Sequence, residues 1–190
     1  MAIKAPSITV KQNTSAYATN SVSLKWSKVT GVTGYEVYRS TSKSSGYKKV
    51  GTTTAVSYKN TGLSSGKTYY YKVKAYKTVS GAKKYIVTSS AVTTGTRPAA
   101  PVAKVTAGTK KATITWKAVT GASGYEVYMA KTKTGTYSKI KTVSSSTKSY
   151  TKTGLTKGKR YYFKVKAYKT INGVKVYSAT STVVMSAVAK

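Results

Sequence analysis

Hydrophobic and polar residues alternate along most of this chain, in short segments separated by Gly, Ser, Thr and Lys. Alternation with a period of two is typical of strands that are buried on one side. The clearest example covers residues 69–76. Its predicted inward face consists of Tyr69, Tyr71, Val73 and Ala75, and its predicted outward face consists of Tyr70, Lys72, Lys74 and Tyr76.

The same pattern predicts seven strands in each half of the chain. In the first half they cover residues 7–10, 21–26, 35–40, 47–51, 56–59, 68–77 and 84–93. In the second half they cover residues 102–105, 112–116, 125–130, 137–141, 149–151, 160–169 and 174–184. No segment has helical periodicity of useful length. Short strands separated by regular turn signals predict an all-β fold made of two immunoglobulin-like, seven-stranded β-sandwiches.

A repeated block supports the division into two sandwiches. The sequence Gly-Tyr-Glu-Val-Tyr occupies residues 34–38 and returns unchanged at residues 124–128. A period near 90 residues in a chain of 190 residues indicates two copies of one module. The block also holds the only two acidic side chains, Glu36 and Glu126.

The boundary between the copies is predicted from the prolines that follow the first one. We place module one at residues 1–96 and module two at residues 97–190. The joint, at about residues 94–101, contains Pro98 and Pro101. Proline restricts the backbone, so this linker should be short, extended and stiff.

The net charge is the compositional feature that says most about possible partners. The chain has 34 Lys and Arg residues against two Glu residues, which gives a net charge of +32. A small soluble domain usually carries a net charge of roughly 2 to 8 in magnitude. Lysine supplies nearly all of the excess, and lysine acts as a mobile point charge that suits diffuse attraction to an extended polyanion. The alternative is a drift of composition towards lysine, with the charge simply solvated.

The residue types that are absent limit the chemistry. The chain contains no His, Cys or Asp, which excludes Ser-His-Asp and Cys-His catalysis and leaves no set of zinc or calcium ligands. Glycosidases need two carboxyl groups roughly 5 to 10 Å apart, whereas Glu36 and Glu126 fall in separate modules. A Ser–Lys dyad is not excluded by composition, but it needs a buried lysine. We therefore expect no enzyme activity, no cofactor and no metal.

Particular residues resemble a known family, the fibronectin type III domains. In module one the resemblance rests on Trp26, Leu63 and Tyr69 with the block at residues 34–38, and in module two on Trp116, Leu155 and Tyr161. The Leu-Gly-Tyr spacing is similar to the tyrosine corner of sandwich folds. The tyrosine-rich variant resembles modules of Gram-positive bacterial surface and secreted proteins. That resemblance implies a spacer or an accessory unit beside catalytic or adhesive domains of a larger parent protein.

The two glutamates are interpreted as structural. Glu36 should face outward on the third strand, beside Lys72 or Lys74 of the sixth. Glu126 should lie in the same way beside Lys164 or Lys166. Exposed ion pairs of this kind contribute roughly 0.2–1 kcal/mol each.

The outward face of the sheet that holds these strands is the candidate binding surface. Aromatic rings there could stack on sugars or bases while lysines meet phosphates. The predicted residues are Tyr38, Tyr70, Lys72, Lys74 and Tyr76 in module one, and Tyr128, Tyr162, Lys164, Lys166 and Tyr168 in module two. The alternative is that tyrosine, a good strand former, only stabilises an exposed sheet.

These observations together predict a non-catalytic spacer or adhesion module, held electrostatically on anionic cell-wall polymers such as teichoic acids. A carbohydrate-binding accessory module and a nonspecific nucleic-acid or polyanion binder are the alternatives. We expect a secreted or cell-surface location, although residues 1–6 lack the apolar core of a signal peptide. No run of about 18 apolar residues predicts a membrane span.

Overall fold

The computed structural model describes residues 6–14, 17–181 and 184–185. They divide into two compact units, Met1–Thr96 and Arg97–Lys190, called module one and module two below. Each module contains one three-stranded and one five-stranded antiparallel sheet. The predicted all-β sandwich class is confirmed.

The described residues of module one form eight strands. They are β1 (Val10–Gln12), β2 (Val22–Trp26), β3 (Gly34–Ser40), β4 (Lys48–Thr53), β5 (Ser57–Asn60), β6 (Thr68–Val79), β7 (Ala82–Thr88) and β8 (Val92–Gly95). One sheet has the order β1-β2-β5. The other has the order β4-β3-β6-β7, and β8 pairs with the first half of β6.

Module two repeats this arrangement. Its strands are β9 (Ala103–Gly108), β10 (Lys111–Trp116), β11 (Gly124–Ala130), β12 (Ser138–Ser144), β13 (Ser149–Thr153), β14 (Tyr162–Ile171), β15 (Val174–Tyr177) and β16 (Val184–Met185). The sheet orders are β13-β10-β9 and β12-β11-β14-β15, with β16 pairing β14. The long strands β3, β6, β11 and β14 are central, so they position the outer faces described below.

The last predicted strand of module one is wrong as a continuous element, because it is interrupted between β7 and β8. The N–H of Ser89 donates to the carbonyl of Val73, and the Ser89 hydroxyl accepts the Val73 N–H, both at 2.9 Å. A side chain therefore replaces a ladder partner where the pairing with β6 passes from β7 to β8. In module two the hydroxyls of Ser178 and Ser181 play this part, accepting the N–H groups of Ala167 and Val165.

The core of each module lies between its two sheets. In module one Trp26 packs against Tyr35, with ring centroids 5.5 Å apart, and Leu63 and Tyr69 are buried beside them. In module two Trp116 packs against Tyr125 at the same distance. Buried phenols find partners, since the Tyr35 hydroxyl accepts the Val29 N–H at 2.9 Å. The inward side of each five-stranded sheet is thus used for packing, and only its outward side is available for binding.

Candidate functional site

The outer face of each five-stranded sheet is built around its single glutamate. Glu36 lies on the central strand β3 and points away from the core, yet it is only 1% exposed. Two phenols donate to Oε2, Tyr38 at 2.7 Å and Tyr85 at 2.8 Å. Two ammonium groups donate to Oε1, Lys83 at 2.8 Å and Lys49 at 3.3 Å. These five residues are called the glutamate clamp of module one.

Module two holds the same clamp. Glu126 is also 1% exposed and accepts hydrogen bonds from Tyr128 at 2.6 Å and Tyr177 at 3.1 Å. Lys175 lies 2.8 Å and Lys139 3.5 Å from its Oε1. The clamp is therefore a property of the repeat and not of one copy.

The predicted exposed ion pairs of Glu36 with Lys72 or Lys74, and of Glu126 with Lys164 or Lys166, are wrong. Lys74 is the register partner of Glu36, but its ammonium lies over the rings of Tyr38 and Tyr85, at 4.7 and 5.1 Å from their centroids. The lysines that reach the carboxylate come from the flanking strands β4 and β7. A buried carboxylate needs several donors, and phenols and ammoniums converging from both sides supply them.

The clamp determines the ionisation of its members. Burial would raise the pKa of Glu36, but the hydrogen bonds from Lys83, Tyr38, Tyr85 and Lys49 outweigh it and lower this pKa to about 2. In the same way burial opposes the donors of Glu126, whose pKa is also lowered to about 2. Burial and the adjacent carboxylate raise the pKa of Tyr38. A carboxylate held ionised in this way is suited to stability and not to proton transfer.

Lysine ammonium groups lie over many of the tyrosine rings on the same faces. In module one these pairs are Lys72 over Tyr47 at 4.4 Å, Lys74 over Tyr38 at 4.7 Å and Lys83 over Tyr76 at 4.5 Å. In module two they are Lys164 over Tyr137 at 3.8 Å, Lys166 over Tyr128 at 5.4 Å and Lys175 over Tyr168 at 4.3 Å. Such cation–π contacts at exposed sites contribute roughly 0.5–1 kcal/mol each. They also occupy the ring faces that a sugar would need.

The structure places most of the predicted binding residues on one face per module, half-buried. In module one these are Tyr38, Tyr70, Lys72 and Lys74, and in module two they are Tyr128, Tyr162, Lys164, Lys166 and Tyr168. Tyr76 differs, since it is only 7% exposed. Its ring lies against Gly34, where an added Cβ would be 2.9 Å from the Tyr76 hydroxyl, and Lys83 covers it from above. The prediction that Tyr76 offers an exposed ring is therefore wrong.

Sequence reasoning missed the outer members of both clamps. Lys49, Lys83 and Tyr85 lie on flanking strands, as do Lys139, Lys175 and Tyr177 in module two. A usable signal was present, because Lys-x-Tyr at residues 83–85 returns at residues 175–177. Both residues of that pattern face the same side of a strand.

The described part of the chain lacks the residues that a metal site or a Ser–Lys catalytic dyad needs. No group of three or more His, Cys, Asp or Glu residues is found there that could hold a metal ion. Every described lysine is at least partly exposed, so a Ser–Lys dyad has no desolvated lysine to use. The described residues include no helix with the length and apolarity needed to cross a membrane.

Comparison with known proteins identifies the family of module two. The fibronectin type III domain model matches residues 97–184, which is nearly all of module two. Module two is a fibronectin type III domain. The two-domain fibronectin type III segment of chicken tenascin covers 93% of this chain, with a TM-score of 0.57 and 18% identity. Module one shares the repeated block and the sheet order, so the resemblance to tandem fibronectin type III domains is confirmed.

Two bacterial enzymes contain regions similar to this chain. Exoglucanase B of Cellulomonas fimi is 34% identical over 94% of the chain, and the match spans 17% of the exoglucanase. The alpha-amylase of Niallia circulans is 37% identical over 38% of the chain, and that match spans 5% of the amylase. The chain therefore corresponds to a small part of each of these longer proteins.

Proposed function

We propose that the two modules form a non-catalytic accessory segment of a secreted or surface bacterial protein, retained electrostatically on anionic cell-wall polymers such as teichoic acids. The observation that carries this is the match to Exoglucanase B, which covers 94% of this chain but only 17% of that enzyme. A pair of modules with this relationship to a glycosidase is suited to spacing and holding another domain. Its partners would be the neighbouring domains of a parent protein and the polymer itself.

The distribution of charge supports electrostatic retention. With 34 Lys and Arg residues and only Glu36 and Glu126 as acidic side chains, few cations can be neutralised within the chain. Both glutamates are already surrounded by two lysines each in the clamps. The remaining cations must be neutralised by ions from solution or by an external polyanion. Release of condensed counterions then drives binding, which should weaken steeply with salt.

Cosedimentation with purified bacterial walls tests this function. The chain should pellet with native walls at low salt and be released progressively up to physiological salt, because counterion release loses its driving force. Walls stripped of teichoic acid are the matched control and should retain much less protein. Retention that is independent of salt, or equal on both kinds of wall, would rule out the proposal.

Glycan binding by the outer faces is the second candidate, and one observation favours it. Among the described residues no lysine lies over the rings of Tyr70 and Tyr162, whereas the neighbouring rings are covered. Both tyrosines are half-buried at equivalent positions. If this function is correct, Tyr70→Ala with Tyr162→Ala abolishes retardation in gels containing soluble glucan and leaves salt-sensitive wall retention intact. Unchanged retardation of the double variant would exclude it.

A further inference from the structure

Module two has a cationic cleft beside its tyrosine corner. The cleft has a volume of about 260 Å³ and is lined by Lys131, Thr156, Lys159, Arg160 and Tyr161. Tyr161 is buried, and its hydroxyl accepts the N–H of Thr156 at 3.1 Å. The other lining residues are exposed. A buried phenol thus lies in a small opening that three cationic side chains surround.

The fold explains why the three cations meet. Ala130 at the end of β11 pairs with Tyr162 at the start of β14, so the next residue, Lys131, comes opposite Tyr161. The turn before β14 brings Lys159 and Arg160 to the same place, with Gly158 at a φ of 76°. The cleft is therefore fixed by the register of two central strands.

The electrostatics of the cleft are unbalanced. The only side-chain carboxylate of module two, Glu126, is held in the clamp by Lys139 and Lys175. Hydrogen bonding to Thr156 lowers the pKa of the Tyr161 hydroxyl, burial opposes this, and the charges of Lys131 and Lys159 lower it further. Both lysines line the same cleft as Tyr161. Three neighbouring cations without an acidic side chain favour an external anion.

The equivalent place in module one lacks two of the three cationic residues of the cleft. Ser40 pairs with Tyr70, so Thr41 corresponds to Lys131, and Thr68 precedes Tyr69 where Arg160 precedes Tyr161. The ring of Tyr69 is instead covered by Arg39, at 5.4 Å from its centroid. Arg39 also donates to the amide oxygen of Asn60 at 3.0 Å. Module one is therefore an internal comparison in which only Lys159 of the three cleft cations has a counterpart, Lys67, and in which Arg39 is bound by Asn60.

From these contacts we propose that the cleft of module two is a discrete binding site for one phosphate group, such as a phosphate of a polymer or a phosphate ester. Arg160 suits phosphate because its guanidinium can make two parallel hydrogen bonds to phosphate oxygens. Lys131 and Lys159 supply point charges, and Thr156 lines the same cleft. The volume is below that of sites for drug-sized ligands, which are roughly 300–1,000 Å³, and so fits a small group. A discrete site for one anion differs from the diffuse attraction proposed above, and the two can fail separately.

Titration of the isotope-labelled full chain with inorganic phosphate, at constant ionic strength and followed by NMR, tests the site. We expect saturable shifts of the amides of Thr156, Lys159, Arg160 and Tyr161, and no matching shifts at Ser64 and Tyr69. Shifts that fail to saturate, or that are equal in both modules, would overturn the proposal. A second titration under the same conditions uses sulfate. Tighter binding of sulfate than of phosphate would overturn the assignment to phosphate.

Substitution by the residues of module one sharpens this test. Lys131→Thr with Arg160→Thr should weaken phosphate binding by at least about tenfold, because charge-assisted hydrogen bonds are lost. Lys104→Thr with Lys141→Thr removes the same charge from exposed positions outside the cleft lining and should change the affinity by less than about twofold. Equal weakening by both pairs would overturn the site.

Two further measurements separate this result from misfolding and from wall retention. The cleft variants should keep the unfolding midpoint of the parent chain, since Lys131 and Arg160 are exposed. A variant that unfolds is replaced by Lys159→Gln alone, which should still weaken phosphate binding severalfold. Saturable phosphate binding in a chain that walls do not retain supports the cleft and contradicts only the proposed function.

Discussion

In module one the ring of Tyr69 is covered by Arg39, whereas in module two the equivalent Tyr161 lies in a cleft with Lys131, Lys159 and Arg160. The glutamate clamps of the two modules, by contrast, contain the same residue types in the same places. The clamp is constrained because a buried carboxylate loses stability when any donor is missing. The rim of the tyrosine corner is exposed and has no such constraint, so the two copies can differ there.

Protonating the carboxylate of one clamp should have the largest effect on the free energy of unfolding. Glu36 has a folded pKa of about 2, below the value of 4.5 for an unperturbed glutamate, so its stabilisation is present above pH 4.5 and is lost as the pH falls to 2. The linked free energy is on the order of 3 kcal/mol for each module. Denaturant unfolding between pH 2 and 6, followed by tryptophan fluorescence, measures it.

Glu36→Gln provides the control for this pH dependence. With Trp116→Phe in the background, Trp26 reports module one alone. The acid-dependent part of the unfolding free energy should disappear in module one, while the same experiment on Glu126 and Trp116 should give the same result for module two. A pH slope that survives Glu36→Gln would show that the clamp is not its source.

Adding a methyl group under the tyrosine ring should distinguish the modules. A Cβ at Gly124 would lie 2.5 Å from the Tyr168 hydroxyl and 2.6 Å from the carbonyl oxygen of Val143, whereas at Gly34 the nearest backbone oxygen is 3.1 Å away. We expect Gly124→Ala to destabilise by roughly 1–3 kcal/mol and Gly34→Ala by less, because overpacking costs more where the backbone must move. The unfolding midpoints of the two variants measure this difference. A larger loss of stability in Gly34→Ala than in Gly124→Ala would contradict the expected difference between the modules.

Deleting one phenolic donor should have a smaller effect. Tyr85→Phe removes the 2.8 Å hydrogen bond to Glu36, and Tyr177→Phe removes the 3.1 Å bond to Glu126. Each should cost about 1 kcal/mol, the net contribution of a typical intramolecular hydrogen bond. Tyr47→Phe serves as the control, since its hydroxyl donates to the exposed carbonyl of Lys43. A loss of stability no greater than that of Tyr47→Phe would show that these phenols do not stabilise the clamps.

The weakest effect is expected from the more distant lysines. Lys49 lies 3.3 Å from the carboxylate and Lys139 lies 3.5 Å away, and both side chains are about half exposed. Replacing either by Met should cost no more than about 1 kcal/mol, because water screens an exposed partner. Lys83→Met, at 2.8 Å, should cost more. Equal losses would show that distance does not rank these ion pairs.

Much of the fold could be predicted because its signals are local. The alternation in residues 69–76 placed Tyr71 and Val73 inside, and both are fully buried. The interruption between β7 and β8 was not predictable in the same way, since the Ser89 hydroxyl becomes an alternative hydrogen-bond partner only once β6 lies alongside. The binding role of the tyrosine-rich faces stays a prediction.

The sequence by itself determined the number of modules, the strand pattern, the residue types of the core and the shortage of acidic side chains. Only the tertiary structure decided which cations meet Glu36, because Lys49 and Lys83 are 13 and 47 positions away and reach it from two flanking strands. It also decided that Lys131 meets Arg160 beside Tyr161, through the pairing of β11 with β14. Period-two alternation specifies the face of a side chain, whereas strand order and register specify its neighbours.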